Sequence, residues 1–121
     1  MILVDTSVWV DHLRKPEQLL IECLKSNNVL MHLLIIGELA CGNLSNRVDR
    51  LRDWHALPLI SEMQNGNVIN LIETKKLMGR GIGLVDAHLL GSVLNTEGTK
   101  LWTRDKRLRG IAEELGIAFV E

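Results

Sequence analysis

An alternation constrains the fold most. Short apolar runs, ILVD at residues 2–5, VLMH at 29–32, LPLI at 57–60, KLWT at 100–103 and IAFV at 117–120, recur between longer stretches with helical spacing. The first run does not alternate apolar with polar residues, so it reads as a strand buried on both faces. Thr6 or Ser7 is placed to cap a helix running to about Leu13. Pro16 suits the start of a second helix, with Leu19, Leu20, Cys23 and Leu24 on one face. LLIIGELACG reads as a helix stopped by Gly42 and Asn43, and RVDRLRDWHAL as an amphipathic one. VINLIETKKLM has helical spacing, but Gly66 and the neighbouring asparagines weaken the turn before it, so residues 64–70 are expected to be irregular. GRGIG is a loop, VDAHLLGSVLN a helix, and KRLRGIAEELG a helix with Gly116 as its stop. Strands alternating with helices predict an α/β fold, a mostly parallel central sheet with helices on both faces. No linker, repeat or low-complexity stretch divides residues 1–121, so one domain is expected.

The bulk numbers narrow the class. Hydrophobic residues make up 46% of 121, enough for one core. No apolar stretch reaches the ~20 residues of a membrane helix. The first residues lack the basic-then-apolar pattern of a signal peptide. Cys23 and Cys41 form no CxxC pair and read as buried free thiols in a reducing, cytoplasmic compartment. Net charge is −1, but basic residues cluster. KLWTRDKRLRG holds Lys100, Arg104, Lys106, Arg107 and Arg109 against one acid, and Arg47, Arg50 and Arg52 form a second group. Either group is a solvated helix face or a path for a nucleic-acid backbone.

Four acids stand in unusual places. In open parallel sheets, ligands bind beyond the carboxyl ends of the strands. Asp5 closes the first apolar run, and Asp105 follows LWT two residues after Thr103. Glu38 has Leu34, Ile35, Cys41 and Gly42 as helical neighbours, and Asp86 has Ile82, Gly83, Leu89 and Leu90. A carboxylate on an apolar stripe must be paired, protonated or bound to a cation. Each acid alone has a structural use: Asp105 can cap the last helix and Asp86 can favour the positive end of its own. Gathered in one cleft the four would repel, and a divalent cation held by oxygen ligands, Mg²⁺ or Mn²⁺, would remove that repulsion.

The motifs ILVDTSVWVDHL, IGELACGNL, GIGLVDAHLL and LWTRDKRL resemble, in order and spacing, the acidic motifs of PIN-domain ribonucleases, and most closely those of VapC toxins from bacterial toxin–antitoxin pairs. The resemblance covers essentially the whole chain. It implies a PIN-like fold and metal-site acids at Asp5, Glu38, Asp86 and Asp105. Thr103, in a Thr-x-Asp pattern, is implied as a supporting polar residue, with Thr6 and Ser7 beside it. The implied activity is Mg²⁺-dependent hydrolysis of RNA phosphodiester bonds, with structured RNA such as tRNA or rRNA as substrate. A VapB-like antitoxin partner and a homodimer are implied as well. Lys100, Arg104, Lys106 and Arg107 adjoin Asp105 and are expected to guide the RNA backbone.

Other chemistries fit less well. His12, His32, His55 and His88 share no metal-ligand spacing, and a helix turns His88 away from Asp86. GRGIG has no preceding strand and no following GK[ST], so it is not a phosphate-cradling loop. Trp9, Trp54 and Trp102 lie in apolar patterns and are expected in the core or an interface. The alternative of another class is a non-catalytic Mg²⁺-binding receiver-like signalling module. That would need adjacent acids after the first strand and a lysine after a late one, and VDTS and IAFVE supply neither. A phosphatase of the DxDx[TV] type lacks its opening motif.

Overall fold

A computed structural model describes residues 1–121. Three short parallel strands, β1 (Ile2–Val4), β2 (Val29–Leu30) and β3 (Lys100–Trp102), form a sheet of order β2-β1-β3. Ile2 lies opposite Val29 and Lys100, and Val4 opposite Trp102. The central strand is buried throughout, as a non-alternating run requires. LPLI and IAFV extend the sheet only as single bridges, Met31 to Leu59 and Leu101 to Ala118.

Seven helices surround the sheet: α1 (Thr6–Arg14), α2 (Gln18–Lys25), α3 (Leu33–Ala40), α4 (Arg47–Ala56), α5 (Asn65–Lys75), α6 (Leu84–Leu94) and α7 (Lys106–Glu114). One core joins Leu3, Val4, Leu101 and Trp102 of the sheet to Leu20, Ile35, Leu89, Leu90 and Leu108 of the helices. Each such side chain contributes about 1.5–3 kcal/mol by leaving water. Trp9 and Trp54 meet edge to face at 6.0 Å, and Trp102 packs on Phe119 at 4.9 Å, so all three tryptophans are core residues.

The expected irregularity at 64–70 does not occur. Helix α5 begins at Asn65, after the N-cap residue Gln64, and runs through the glycine and asparagines. Tertiary packing overrides weak propensity there. Val68 is fully buried, Leu71 packs on the core, and Asn65 Oδ1 meets His88 Nε2 of α6 at 2.8 Å. Gly91 of α6 leaves the room that Met63 and Leu71 occupy. A second correction concerns Cys41, which is exposed, whereas Cys23 is buried as expected.

Candidate active site at the carboxyl edge of the sheet

Asp5 follows the last residue of β1, where its N–H still bonds to Trp102 O at 2.9 Å. It is the N-cap residue of α1, yet its carboxylate caps nothing. Oδ2 instead accepts hydrogen bonds from Thr103 Oγ1 at 2.7 Å and Ser7 Oγ at 2.9 Å. Each of these hydroxyls accepts a backbone N–H in turn, Thr103 from Asp105 at 3.1 Å and Ser7 from Arg104 at 3.0 Å. A hydroxyl that accepts from a fixed N–H has its own proton directed elsewhere, here onto Asp5. Asp5 is 6% exposed and Thr103 4%, so these charge-assisted bonds fix the carboxylate firmly.

The other three acids approach from three helices. Glu38, in the last turn of α3, accepts a hydrogen bond from Thr6 Oγ1 at 2.6 Å. Asp86, in the first turn of α6, accepts the Gly83 N–H through Oδ2 at 3.2 Å. Asp105 is the N-cap of α7, with Oδ1 accepting from the N–H groups of Arg107 and Leu108, each at 3.0 Å. Burial raises the Asp86 carboxyl above its ordinary value; the Gly83 N–H opposes this, and the charges of Asp5, Asp105 and Glu38 add to it.

The four carboxylates follow one pattern. Each spends one oxygen on a hydrogen bond from the protein: Asp5 Oδ2, Glu38 Oε1, Asp86 Oδ2 and Asp105 Oδ1. Asp5 Oδ1, Glu38 Oε2, Asp86 Oδ1 and Asp105 Oδ2 receive no hydrogen bond from the protein, and neither Asp5 Oδ1 nor Asp86 Oδ1 is sealed from solvent. No lysine or arginine forms an ion pair with any of the four; every ion pair in the molecule lies elsewhere. No three of the side chains close tightly enough to form a finished cage. Glu38, expected on a buried stripe, is exposed, and Asp86 is half-buried, so only Asp5 is a truly buried acid. The structural uses foreseen for Asp86 and Asp105 as helix-end residues are both realised, and each leaves one oxygen free.

The loop before α6 packs against the start of α7. Gly79 and Gly81 adopt φ of +70° and +82°, which a side chain would strain. A Cβ at Gly81 would also stand 2.5 Å from Arg107 Cδ. The stem of Arg107 therefore lies across the loop and ties the start of α7, with Asp105, to the approach to α6, with Asp86.

The basic run divides. Lys106 and Arg107 are exposed beside Asp105. Lys100 starts β3, at the end of the sheet away from the acids, and its ammonium bonds to Gly116 O at 2.8 Å. Arg104 is withdrawn from any backbone-guiding role. Its guanidinium meets Asp11 at 2.9 Å, Glu17 at 2.8 Å and Glu121 at 2.6 Å. Its pKa rises further above an already high value, chiefly through Glu121, then Glu17, against some desolvation. Nothing in the local sequence marks these partners, which come from three distant segments. The structure also gives two of the histidines structural duties. His32 is fully buried and caps α3 by accepting the Leu34 N–H, and burial lowers its pKa. His88 faces Asn65, away from the acids.

Comparison with known proteins agrees with this fold. Residues 2–114 match the PIN domain family model. Ribonuclease VapC32 from two Mycobacterium tuberculosis strains, CDC 1551 / Oshkosh and H37Rv, is 44% identical over 124 residues, covering 100% of this chain and 98% of the relative. The crystal structure of PAE2754 from Pyrobaculum aerophilum superposes with a TM-score of 0.66 at 18% identity, over 98% of this chain and 87% of that one, a likeness of fold. The receiver-like alternative is thereby set aside. With the family model spanning residues 2–114 and 44% identity along the full chain, the chain belongs to the PIN-domain family, in its VapC branch.

Proposed function

We propose that this protein is a divalent-metal-dependent endoribonuclease and the toxin of a toxin–antitoxin pair. One observation carries the reading: Asp5, Glu38, Asp86 and Asp105 each keep one carboxylate oxygen without a protein hydrogen bond, and none of the four is ion-paired with a lysine or arginine. An oxygen-only, multiply anionic donor set fits Mg²⁺ or Mn²⁺ and does not fit a softer metal. Such an ion, when bound, supplies Lewis-acid activation of water and offsets charge building on the phosphate. The protein's part is orientation. Ser7 and Thr103 lock Asp5, Thr6 steadies Glu38, and the two helix N-termini hold Asp86 and Asp105 by one oxygen each. Lys106 and Arg107 neutralise substrate phosphates beside Asp105. One of the four acids would accept the proton of the attacking water.

The substrate we propose is a structured RNA, tRNA or rRNA, and the site of action the cytoplasm. No helix is long and apolar enough to cross a membrane. A VapB-like antitoxin would cover the groove lined by Trp9, His12, Leu13, Leu24 and Trp54 and present a basic side chain to the acids. A homodimer is proposed on family grounds. The test is incubation of the purified protein with total RNA in Mg²⁺ or in EDTA, followed by mapping of cut ends. Cleavage is expected with Mg²⁺, and Asp5→Asn should lower it about a hundredfold or more while leaving the fold intact. Equal cleavage in EDTA, or by Asp5→Asn, would sink the mechanism. For the partner, growth arrest on expression should be relieved by a co-expressed antitoxin that co-purifies. Relief without a complex would reject blocking by binding.

A further inference from the structure

We infer that Arg104 is a positioning residue for the acidic site, acting through the peptide units of residues 103–105. The proposal rests on the ribonuclease reading of the site. Three carboxylates from separate segments converge on one guanidinium: Asp11 of α1, Glu17 before α2, and Glu121 beyond the last bridge of the sheet. Glu121 is engaged by two parallel bonds, Nε to Oε2 at 3.1 Å and Nη2 to Oε1 at 2.6 Å. The side chain is 25% exposed and its planar head also reaches Trp102, with the guanidinium carbon 5.9 Å from the indole centre. Such a forked clamp has one geometry. It therefore fixes the backbone from which it springs.

That backbone organises Asp5. The Arg104 N–H donates to Ser7 Oγ and the next N–H, of Asp105, to Thr103 Oγ1. Both hydroxyls then donate to the same oxygen, Asp5 Oδ2. Rotation of the 103–104 or 104–105 peptide plane by a few tens of degrees would break a donor line and free the Asp5 carboxylate to turn. A clamp on the side chain between those two planes prevents this. The same clamp ties α1, which carries Thr6 and Ser7, to the segment carrying Thr103 and Asp105. Arg104 thus sets the relative position of the two halves of the site without touching substrate.

The test compares Arg104→Met and Arg104→Lys with wild type at a temperature well below either variant's unfolding midpoint. RNA affinity is measured on a non-cleaving background, Asp5→Asn, so that binding and turnover separate. Removal of groups that orient metal ligands lowers metal affinity or activity about 10- to 100-fold. Arg104→Met is accordingly expected to weaken Mn²⁺ binding by calorimetry about tenfold and to lower kcat by a similar factor. KM and the RNA dissociation constant should stay within about twofold of wild type, since a positioning group does not touch the substrate. Arg104→Lys keeps the charge, loses the fork and should lie between. The Asp5 carboxylate ¹³C resonance, identified by its disappearance in Asp5→Asn, should shift in Arg104→Met without any metal or RNA. A folded Arg104→Met with unchanged Mn²⁺ affinity and an unmoved Asp5 resonance would overturn the proposal. Weakened RNA binding with unchanged kcat would overturn it too, making Arg104 a phosphate-binding residue. Wild-type protein that binds Mn²⁺ but cuts no RNA would refute the ribonuclease reading alone, leaving the calorimetric and NMR arms to decide the role of Arg104.

Discussion

Thr103→Val is nearly isosteric and removes one hydroxyl from the buried centre of the site, so its cost is calculable. The hydroxyl gives Asp5 a charge-assisted bond at 2.7 Å in a place 4% exposed. Loss of a hydrogen bond to a charged group costs about 1.5–3 kcal/mol. Asp5 keeps Ser7 on the same oxygen, but water replaces the missing donor poorly at 6% exposure. The Asp105 N–H, part-buried, loses its acceptor as well. The buried methyl returns up to about 0.8 kcal/mol. The net destabilisation is about 1–2 kcal/mol, or roughly 3–10 °C in Tm for a domain of this size. Urea unfolding at pH 7 in EDTA reads it directly, and Thr103→Ser, which restores the hydroxyl, should recover most of the stability. If Thr103→Val matched or exceeded wild-type stability, the hydroxyl would not be holding a charged carboxylate, and the account of how Asp5 is fixed would fail.

Asp86→Asn should behave oppositely. Burial, Asp5, Asp105 and Glu38 raise the Asp86 pKa, so the native state holds its proton longer than the unfolded chain, whose ordinary value is 3.8. Native stability therefore falls as pH rises above 3.8, and the fall is complete once pH passes the raised native value. The asparagine variant escapes this, so in metal-free urea titrations its advantage over wild type should be absent at pH 3, grow through the weakly acidic range and then level off; an advantage that shrank with rising pH would reverse the assignment. Replacing Lys106 and Arg107 by Gln should flatten the dependence of log K on log salt by about 0.7–0.9 for each phosphate no longer neutralised. An unchanged slope would make the pair a solvated helix face.

Residue order carried the architecture because burial on both faces leaves an unmistakable mark. ILV and LW, with no alternation, could only be interior strands, and the helices between them required parallel pairing. Asp5, Asp86 and Asp105 stood out because a charge at the end or on the face of an apolar run is costly. What failed depended on long-range geometry. Glu38 has apolar helical neighbours yet opens to solvent, since a helical stripe does not say which edge of it is covered. Arg104 read as one of a basic cluster, but a cluster in sequence carries no information about carboxylates arriving from residues 11, 17 and 121. Lys100 is four residues from Arg104 and belongs to the opposite end of the sheet, because each strand residue advances ~3.3 Å away from the site. Helix α5 was obscured by its asparagines, whose weak propensity is overcome by Val68 and by the Asn65–His88 bond.

The central position of β1 has a kinetic meaning. Its partner on one side, β2, follows within thirty residues, but its partner on the other, β3, is about a hundred residues away: Asp5 and Thr103 are 98 positions apart. Closing so long a loop is entropically expensive and is rewarded only when the strands meet, so this pairing belongs to the late, slow part of folding. During synthesis the first strand emerges early and waits for nearly the whole domain to follow. A nascent chain already displaying Asp5, Glu38 and Asp86 lacks the hydroxyl and the two N–H groups that hold Asp5 in place. The hydrogen bonds that fix Asp5 are thus complete only when residues 100–105 dock beside the opening strand.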